Sequence, residues 1–289
     1  MQQYKQLVLN VLHNGTRKEN RTGVDTLSTF NENYEIDLQE GFPLLTTKEV
    51  SWKNIIVENL WFLSGKRDIS FLHQHNCKFW DLWADEKGHV PSAYGSFWRG
   101  YDSHVYGCTI DQIKCVINEL KKNPYSRRLV VSAWHPINAI HSSLPPCHLL
   151  FIFNVQNFKD GARLCLHLTQ RSGDVALGIP YNIAGYSFLM HLISRFTGIP
   201  VGIFAHSIVD AHIYTSKPDG SMSEYDHVPG LQEQLGRTCR SLPSLEIDPG
   251  ITSLDDLDVL HSMSTQDLLN VFRLHNYNPH PPIKFKAVP

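Results

Sequence analysis

Cys147 stands in the run Leu144-Pro145-Pro146-Cys147-His148, directly ahead of the apolar stretch Leu149 to Val155. Proline fixes its own φ and restricts the residue before it, so two prolines hold this thiol at the mouth of a buried strand. A thiol that cannot drift suits a nucleophile, whose attacking form is the thiolate and whose pKa a neighbouring cation lowers. Cysteine is among the most buried residue types, and a lone one is ordinarily inert packing; a packing cysteine needs no such clamp. Just downstream lie Gln170-Arg171-Ser172-Gly173-Asp174 and Gly178-Ile179-Pro180-Tyr181-Asn182. Together these segments imply a covalent enzyme acting on an anionic, amide-bearing substrate.

Arg21, Arg127, Arg128 and Arg171 each fall at an element boundary or in a polar turn. Taken singly, each is an ordinary surface charge. As a set they suit a phosphate, which guanidinium groups grip bidentately, and the Ser172 hydroxyl adds a donor. Asn182 enters a long apolar helix and is as well explained as its cap; its amide, which donates and accepts at once, also suits the lactam edge of a base such as uracil. Glu58 sits inside an apolar segment, where a carboxylate is costly unless paired. It is either a salt-bridged structural acid or a group whose raised pKa fits proton transfer near neutrality. His212-Ile213-Tyr214 places two polar side chains on one strand face, within reach of a sugar hydroxyl, a weak signal by itself.

The elements that must position these residues follow from periodicity. Residues 3–13 have helical spacing, and a strand is expected near 26–37. Residues 51–63 are apolar nearly all round, which marks a buried helix. An amphipathic helix is expected over 109–121, with Thr109 as its cap. Strands are expected at 128–134, 148–156 and 163–170, then an apolar helix over 182–197 and a strand near 201–208. Residues 216–230 read as a surface loop, and the C-terminal third as polar and turn-rich. Strands and helices interleave without a regular βαβ rhythm, which favours an α+β fold, here a single catalytic domain over 1–289.

The chain has 289 residues, 42% of them apolar and 19% charged, and a net charge of −2. That composition suits a globular protein with a large core and supplies no global field to recruit nucleic acid or anionic membrane. No stretch approaches the roughly 18 unbroken apolar residues of a membrane span, and the N-terminal residues lack a signal-peptide core; a cytoplasmic protein is expected. None of the six cysteines forms a C-x-x-C pair, so no metal is expected. They are expected to be free thiols, five of them packing residues.

These segments, in this order, resemble the thymidylate synthase family from Arg21 to about Pro281. The motifs are Leu45-Thr46-Thr47-Lys48, Glu58 to Gly65, Trp80-Asp81 with Trp83-Ala84-Asp85, Tyr94-Gly95, Ser126-Arg127-Arg128, Pro146-Cys147-His148, Gln170-Arg171-Ser172 with Asp174, Gly178 to Ala184, Asp210 to Tyr214, and Tyr277-Asn278-Pro279-His280-Pro281. The resemblance implies a mixed sheet covered by helices and a homodimer with the sheets back to back. It implies that Cys147 attacks carbon 6 of dUMP, that carbon 5 then takes a one-carbon unit from 5,10-methylenetetrahydrofolate, and that no metal takes part. Glu58 would organise proton transfers, with Tyr94 and His148 near the base. Arg21, Arg171 and Ser172 would hold the phosphate, joined by Arg127 and Arg128 from the partner subunit. Asn182 would select uracil, and His212 and Tyr214 would hold the deoxyribose. Asp174 would meet the folate pterin, Trp80 would line the folate site, and Lys48 would meet the folate's glutamate tail.

The chain departs from the family's common pattern at Ser51, Phe79, Gly173 and Ala176, in an insertion over 219–230, and at its terminal Pro289. A looser terminal lid would admit water in place of hydride, so a dUMP hydroxymethylase is the serious rival. An inactive nucleotide- or RNA-binding homologue is a minor one, disfavoured by the intact set of Cys147, Glu58, Asn182 and four arginines; no basic patch with interleaved aromatics supports dedicated RNA binding.

Overall fold

The structure, a computed structural model, describes every residue except His104, Ser143 and Pro289. The expectation attached to Pro289 therefore lies outside the described residues. α1 (Gln2–Asn14) buries Tyr4, Leu7, Val8 and Val11 at helical spacing. β1 (Thr16–Lys18) and β2 (Asp25–Asp37) follow. α2 (Trp52–Ser64) starts where the Ser51 hydroxyl accepts from the Asn54 amide and stops at Gly65, whose φ of 73° favours glycine. Ser51, a departure from the family pattern, is thus the helix cap. Next come α3 (Ser70–Gln74), α4 (Tyr94–Gly100), β3 (Tyr101–Ser103), β4 (Cys108–Ile110) and α5 (Gln112–Lys122). The second half holds β5 (Val130–Ser132), α6 (Pro136–His141), β6 (His148–Phe158), β7 (Gly161–Gln170), β8 (Gly173–Asp174), α7 (Gly178–Thr197) and β9 (Val201–Thr215). α8 (Val228–Gly236), β10 (Ser244–Ile247), α9 (Thr265–Val271) and β11 (Phe272–His275) complete it.

The main sheet runs in the order β1-β2-β9-β7-β6-β5, with β8 joining β9. β7 and β9 are parallel because α7 carries the chain back between them; β2–β9, β7–β6 and β6–β5 are antiparallel. The result is a mixed sheet in an α+β fold. One face buries Phe151, Phe153, Leu166, Leu168, Phe204 and His206, and α2 and α7 pack together in the same core. Alternate residues, among them Ile152, His167, Thr169, Ala205 and Ser207, occupy the other face and are half-buried.

Several expectations are corrected. The helix after residue 109 begins at Gln112, and Asp111, not Thr109, caps it by accepting from the Lys114 amide; Thr109 is taken up by the β3–β4 hairpin. α7 begins at Gly178, since Pro180 sits in the first turn, where its missing N–H is not needed. Asn182 is therefore inside the helix and is not its cap. The strand near 201–208 and the segment 210–214 are one strand. The 216–230 loop ends early, at α8, and the C-terminal third contributes Leu231, Leu257, Leu260, Leu268 and Phe272 to the core. Of the five cysteines expected to pack, Cys108 and Cys115 are exposed.

Candidate active site

β6 begins where β7 ends, His148 opposite Gln170, at the end of the sheet next to Cys147. The Arg171 backbone N–H donates to the Cys147 carbonyl at 2.9 Å. The Arg171 guanidinium donates through Nε to the Pro146 carbonyl at 2.9 Å and through Nη2 to the Pro145 carbonyl at 2.7 Å. From the other side the Tyr94 hydroxyl accepts the Cys147 N–H at 3.1 Å. The loop is held at four points, three of them by one arginine. Burial pushes the Cys147 thiol up, while Arg171, Tyr94 and Arg21 pull it down; burial wins. The expected cation is present, yet burial keeps the thiol protonated at neutral pH.

His148 points into the core. Its ring stacks on Tyr94, with centroids 4.5 Å apart, and its Nδ1 lies 3.1 Å from the Tyr186 hydroxyl. Burial pushes its pKa down to about 3, with Asn182 opposing and Arg171 reinforcing. It is a neutral imidazole and supplies no cation to the thiol. Glu58 projects from α2 and accepts from the Trp80 indole N–H at 2.8 Å. Burial raises its carboxyl to about 7, against that hydrogen bond. Trp80 is itself packed among Trp61, Phe62, Trp83 and Tyr94. Glu58 is thus neither a salt-bridged acid nor a strong one, and can hold or release a proton near neutrality.

Asn182 Oδ1 accepts from Gln170 Nε2 at 3.1 Å. Ser172 Oγ lies 3.5 Å from His212 Nδ1, and the His212 and Tyr214 rings meet edge-on 5.1 Å apart on one face of β9. Asp174 Oδ1 accepts from the Ala176 and Leu177 N–H groups at 2.8 and 3.2 Å, which fixes the approach to α7. Burial would raise its carboxyl, but His227, 3.8 Å away, holds it below the usual range. Gly173 leaves no room for a side chain: a Cβ would lie 2.7 Å from Ile179 Cδ1 and 3.3 Å from Ile208 Cγ2.

Arg21 is exposed in the turn before β2, close enough to bias Cys147 and Tyr214 electrostatically. Two residues do not join the group. Arg127 and Arg128 are exposed just before β5. There the Leu129 carbonyl accepts from the Phe153 N–H, six residues along β6 from Cys147. At about 3.3 Å per residue that separation is about 20 Å. Lys48 is buried; its Nζ donates to the Ala176 carbonyl at 2.7 Å and lies 4.6 Å above the Phe285 ring. Burial lowers its pKa to about 8, and its ammonium faces inward rather than toward an open rim. Sequence reasoning missed Tyr186 and His227. His227 fell within a stretch assigned to a surface loop, yet it is buried, with Nε2 2.9 Å from the Lys286 carbonyl.

The α+β fold thus gathers a clamped thiol, a carboxyl poised near neutrality and a fixed amide at one end of its sheet. The family model for thymidylate synthase matches residues 2–288. A thymidylate synthase from Haloferax volcanii is 40% identical over a 340-residue alignment covering 96% of this chain and 94% of the relative. The chain belongs to the thymidylate synthase family.

Proposed function

We propose that this chain, acting as one catalytic domain, converts dUMP to dTMP with 5,10-methylenetetrahydrofolate, and that Cys147 is the nucleophile. The observation that carries the reading is the four-point hold on the Cys147 loop by Arg171 and Tyr94. Uracil carbon 5 is a poor nucleophile until a thiolate adds at carbon 6, so covalent catalysis divides one hard step into two easier ones. The Cys147 proton passes to solvent as the sulfur–carbon bond forms, carbon 5 loses its own proton once the one-carbon unit is attached, and the reverse elimination frees the product and returns the thiolate. Asn182 reads the base. Tyr94 and the neutral His148 wall its far side, and Glu58 exchanges protons there. Arg171 and Ser172 grip the phosphate with Arg21, and His212 and Tyr214 face the sugar.

The residues present suit a folate. Trp80 and Trp83 offer aromatic rings set edge to face, Phe79 and Leu82 next to them in the chain are exposed, and Asp174 is a carboxylate at the approach to α7. When bound, the folate supplies the one-carbon unit and the hydride. Trp80 has two tasks in this reading, as folate wall and as the donor that orients Glu58. Lys48 would meet a folate tail only after releasing Ala176 and Phe285.

The active unit is a homodimer. Arg127 and Arg128 lie too far from their own Cys147 to share its phosphate, and the half-buried outer sheet face offers the surface through which they would enter a partner's site. Neither the family match nor the synthase relative favours hydroxymethyl transfer or a binding-only role. A cytoplasmic location accords with six unpaired cysteines; among the described residues no helix is long and apolar enough to cross a membrane.

The test is mass spectrometry of the nucleotide after incubation with dUMP and methylenetetrahydrofolate, with dihydrofolate followed by absorbance. Methylated nucleotide and dihydrofolate in equal amounts are expected. Hydroxymethylated nucleotide without dihydrofolate would overturn the proposal.

A further inference from the structure

A line of polar groups, buried at its centre and half-buried at its ends, crosses the inner face of the sheet and ends at Asn182. Tyr34 on β2 and His206 on β9 are register partners, and the Tyr34 hydroxyl lies 2.7 Å from His206 Nδ1. His206 Nε2 lies 2.9 Å from Oε1 of Gln170, the last residue of β7. The Gln170 Nε2 group donates to the Ser172 carbonyl at 2.8 Å and to Asn182 Oδ1 at 3.1 Å. His206 and Gln170 are fully buried amid Phe204, Leu168 and Ile208, and burial keeps the His206 imidazole neutral.

The polarity of this line is determined. A carbonyl only accepts, so the group facing Ser172 must be the Gln170 amide nitrogen, and Oε1 must face His206. Oε1 needs a donor, which makes His206 the Nε2–H tautomer and leaves Nδ1 as an acceptor. The Tyr34 hydroxyl must then donate to Nδ1. At the other end, Gln170 donates to Asn182 and, with the His148 imidazole, holds the Asn182 oxygen on its own side, leaving the Asn182 NH2 to face elsewhere. Reversing the Asn182 amide would set its NH2 against the Gln170 NH2, two donors facing each other in a half-buried site.

We propose that Tyr34 and His206 are positioning residues for base selection, acting through Gln170 to lock the Asn182 amide in the one orientation that offers NH2 to a carbonyl, as at uracil position 4, and refuses the amino group cytosine carries there. This rests on the reading of Asn182 as the residue that meets the base. Tyr34 and His206 reach the nucleotide site only through Gln170, whose hold on the Ser172 carbonyl does not depend on them, so their loss should alter discrimination between bases and leave the rest of the nucleotide site intact.

Titration calorimetry of dUMP, dCMP and 2-deoxyribose 5-phosphate against the full-length protein tests the proposal. In His206→Phe the ratio of dCMP to dUMP dissociation constants should fall about tenfold, and in Tyr34→Phe about threefold, as expected for the loss of one buried hydrogen bond. His206→Gln, whose NH2 can reach Gln170 Oε1, should recover most of the ratio. Affinity for 2-deoxyribose 5-phosphate should stay unchanged throughout. A wild-type ratio in His206→Phe, with the ratio lost in Asn182→Ala, would overturn the relay. A wild-type ratio in Asn182→Ala would overturn the base-reading assignment itself. Equal weakening of all three ligands would show a merely structural role and also overturn the relay. Should His206→Phe fail to fold, Tyr34→Phe, which removes one oxygen, decides the matter by itself: an unchanged ratio overturns the proposal.

Discussion

Glu58→Gln should make the protein more stable above neutral pH while disabling it. Burial raises the Glu58 carboxyl from 4.5 to about 7, so the folded state binds this proton more tightly than the unfolded chain does. The resulting stabilisation is fully present below the unfolded value and is lost as pH rises through the folded one. The gap between the two values corresponds to about 3 kcal/mol, spent above about pH 8 on keeping a carboxylate in an enclosed site. Glutamine is nearly isosteric, carries no charge, and its carbonyl can still accept the Trp80 indole N–H. Urea unfolding of wild type and variant across the pH range reads the difference directly, since every other titrating group is common to both. Near pH 4.5 the two should be equally stable; above about pH 8 the variant should lead by ~1–3 kcal/mol. Turnover should fall by about a hundredfold or more, the usual scale for losing a proton-transfer group. A stability difference independent of pH, or a variant less stable at high pH, would refute the electrostatic reasoning, and unimpaired turnover would refute the proton-transfer role.

Asn182→Asp should shift preference from dUMP toward dCMP, because a carboxyl group can pair with the cytosine edge; strict dUMP selection in a kinetic competition would count against the base-reading role. Gly95→Ala should destabilise the fold by at least ~2 kcal/mol in urea unfolding, because the new Cβ would press on the Phe62 carbonyl where α4 crosses α2; a neutral result would show that the helices separate freely. Arg127→Ala and Cys147→Ala chains, each inactive alone, should regain activity when unfolded and refolded together, since a mixed dimer carries one site with both residues intact; no recovery despite mixed dimers would exclude the cross-subunit arginine.

What was legible in the sequence was local. Two prolines directly before a thiol, an all-round apolar helix carrying one carboxylate, and alternation through His212 and Tyr214 each have a meaning that short-range geometry fixes. Two helix starts differ from expectation: Asp111 caps in place of the expected Thr109, and α7 begins at Gly178 with Pro180 in its first turn. The rest depends on contacts across many residues. Arg171 reads as a phosphate grip, but only the adjacency of β6 and β7 shows its guanidinium on the carbonyls of Pro145 and Pro146. Tyr34, His206 and Gln170 become a line only when three strands are set in register. His227 lies in a polar stretch that looks solvated until Asp174 and the Lys286 carbonyl are brought to it. The environment of Cys147 was half legible, since the sequence shows the nearby cations but not the burial that outweighs them.

The central claim is that Cys147 carries the nucleotide. The most direct measurement is peptide mass spectrometry of the protein after incubation with methylenetetrahydrofolate and 5-fluoro-dUMP, whose carbon 5 has no proton to lose, so that the adduct cannot proceed to product. The combined mass of the fluoronucleotide and methylenetetrahydrofolate should appear on the peptide containing Cys147 and vanish in Cys147→Ala. A nucleotide attached to another residue, or full turnover of dUMP by Cys147→Ala, would contradict the account.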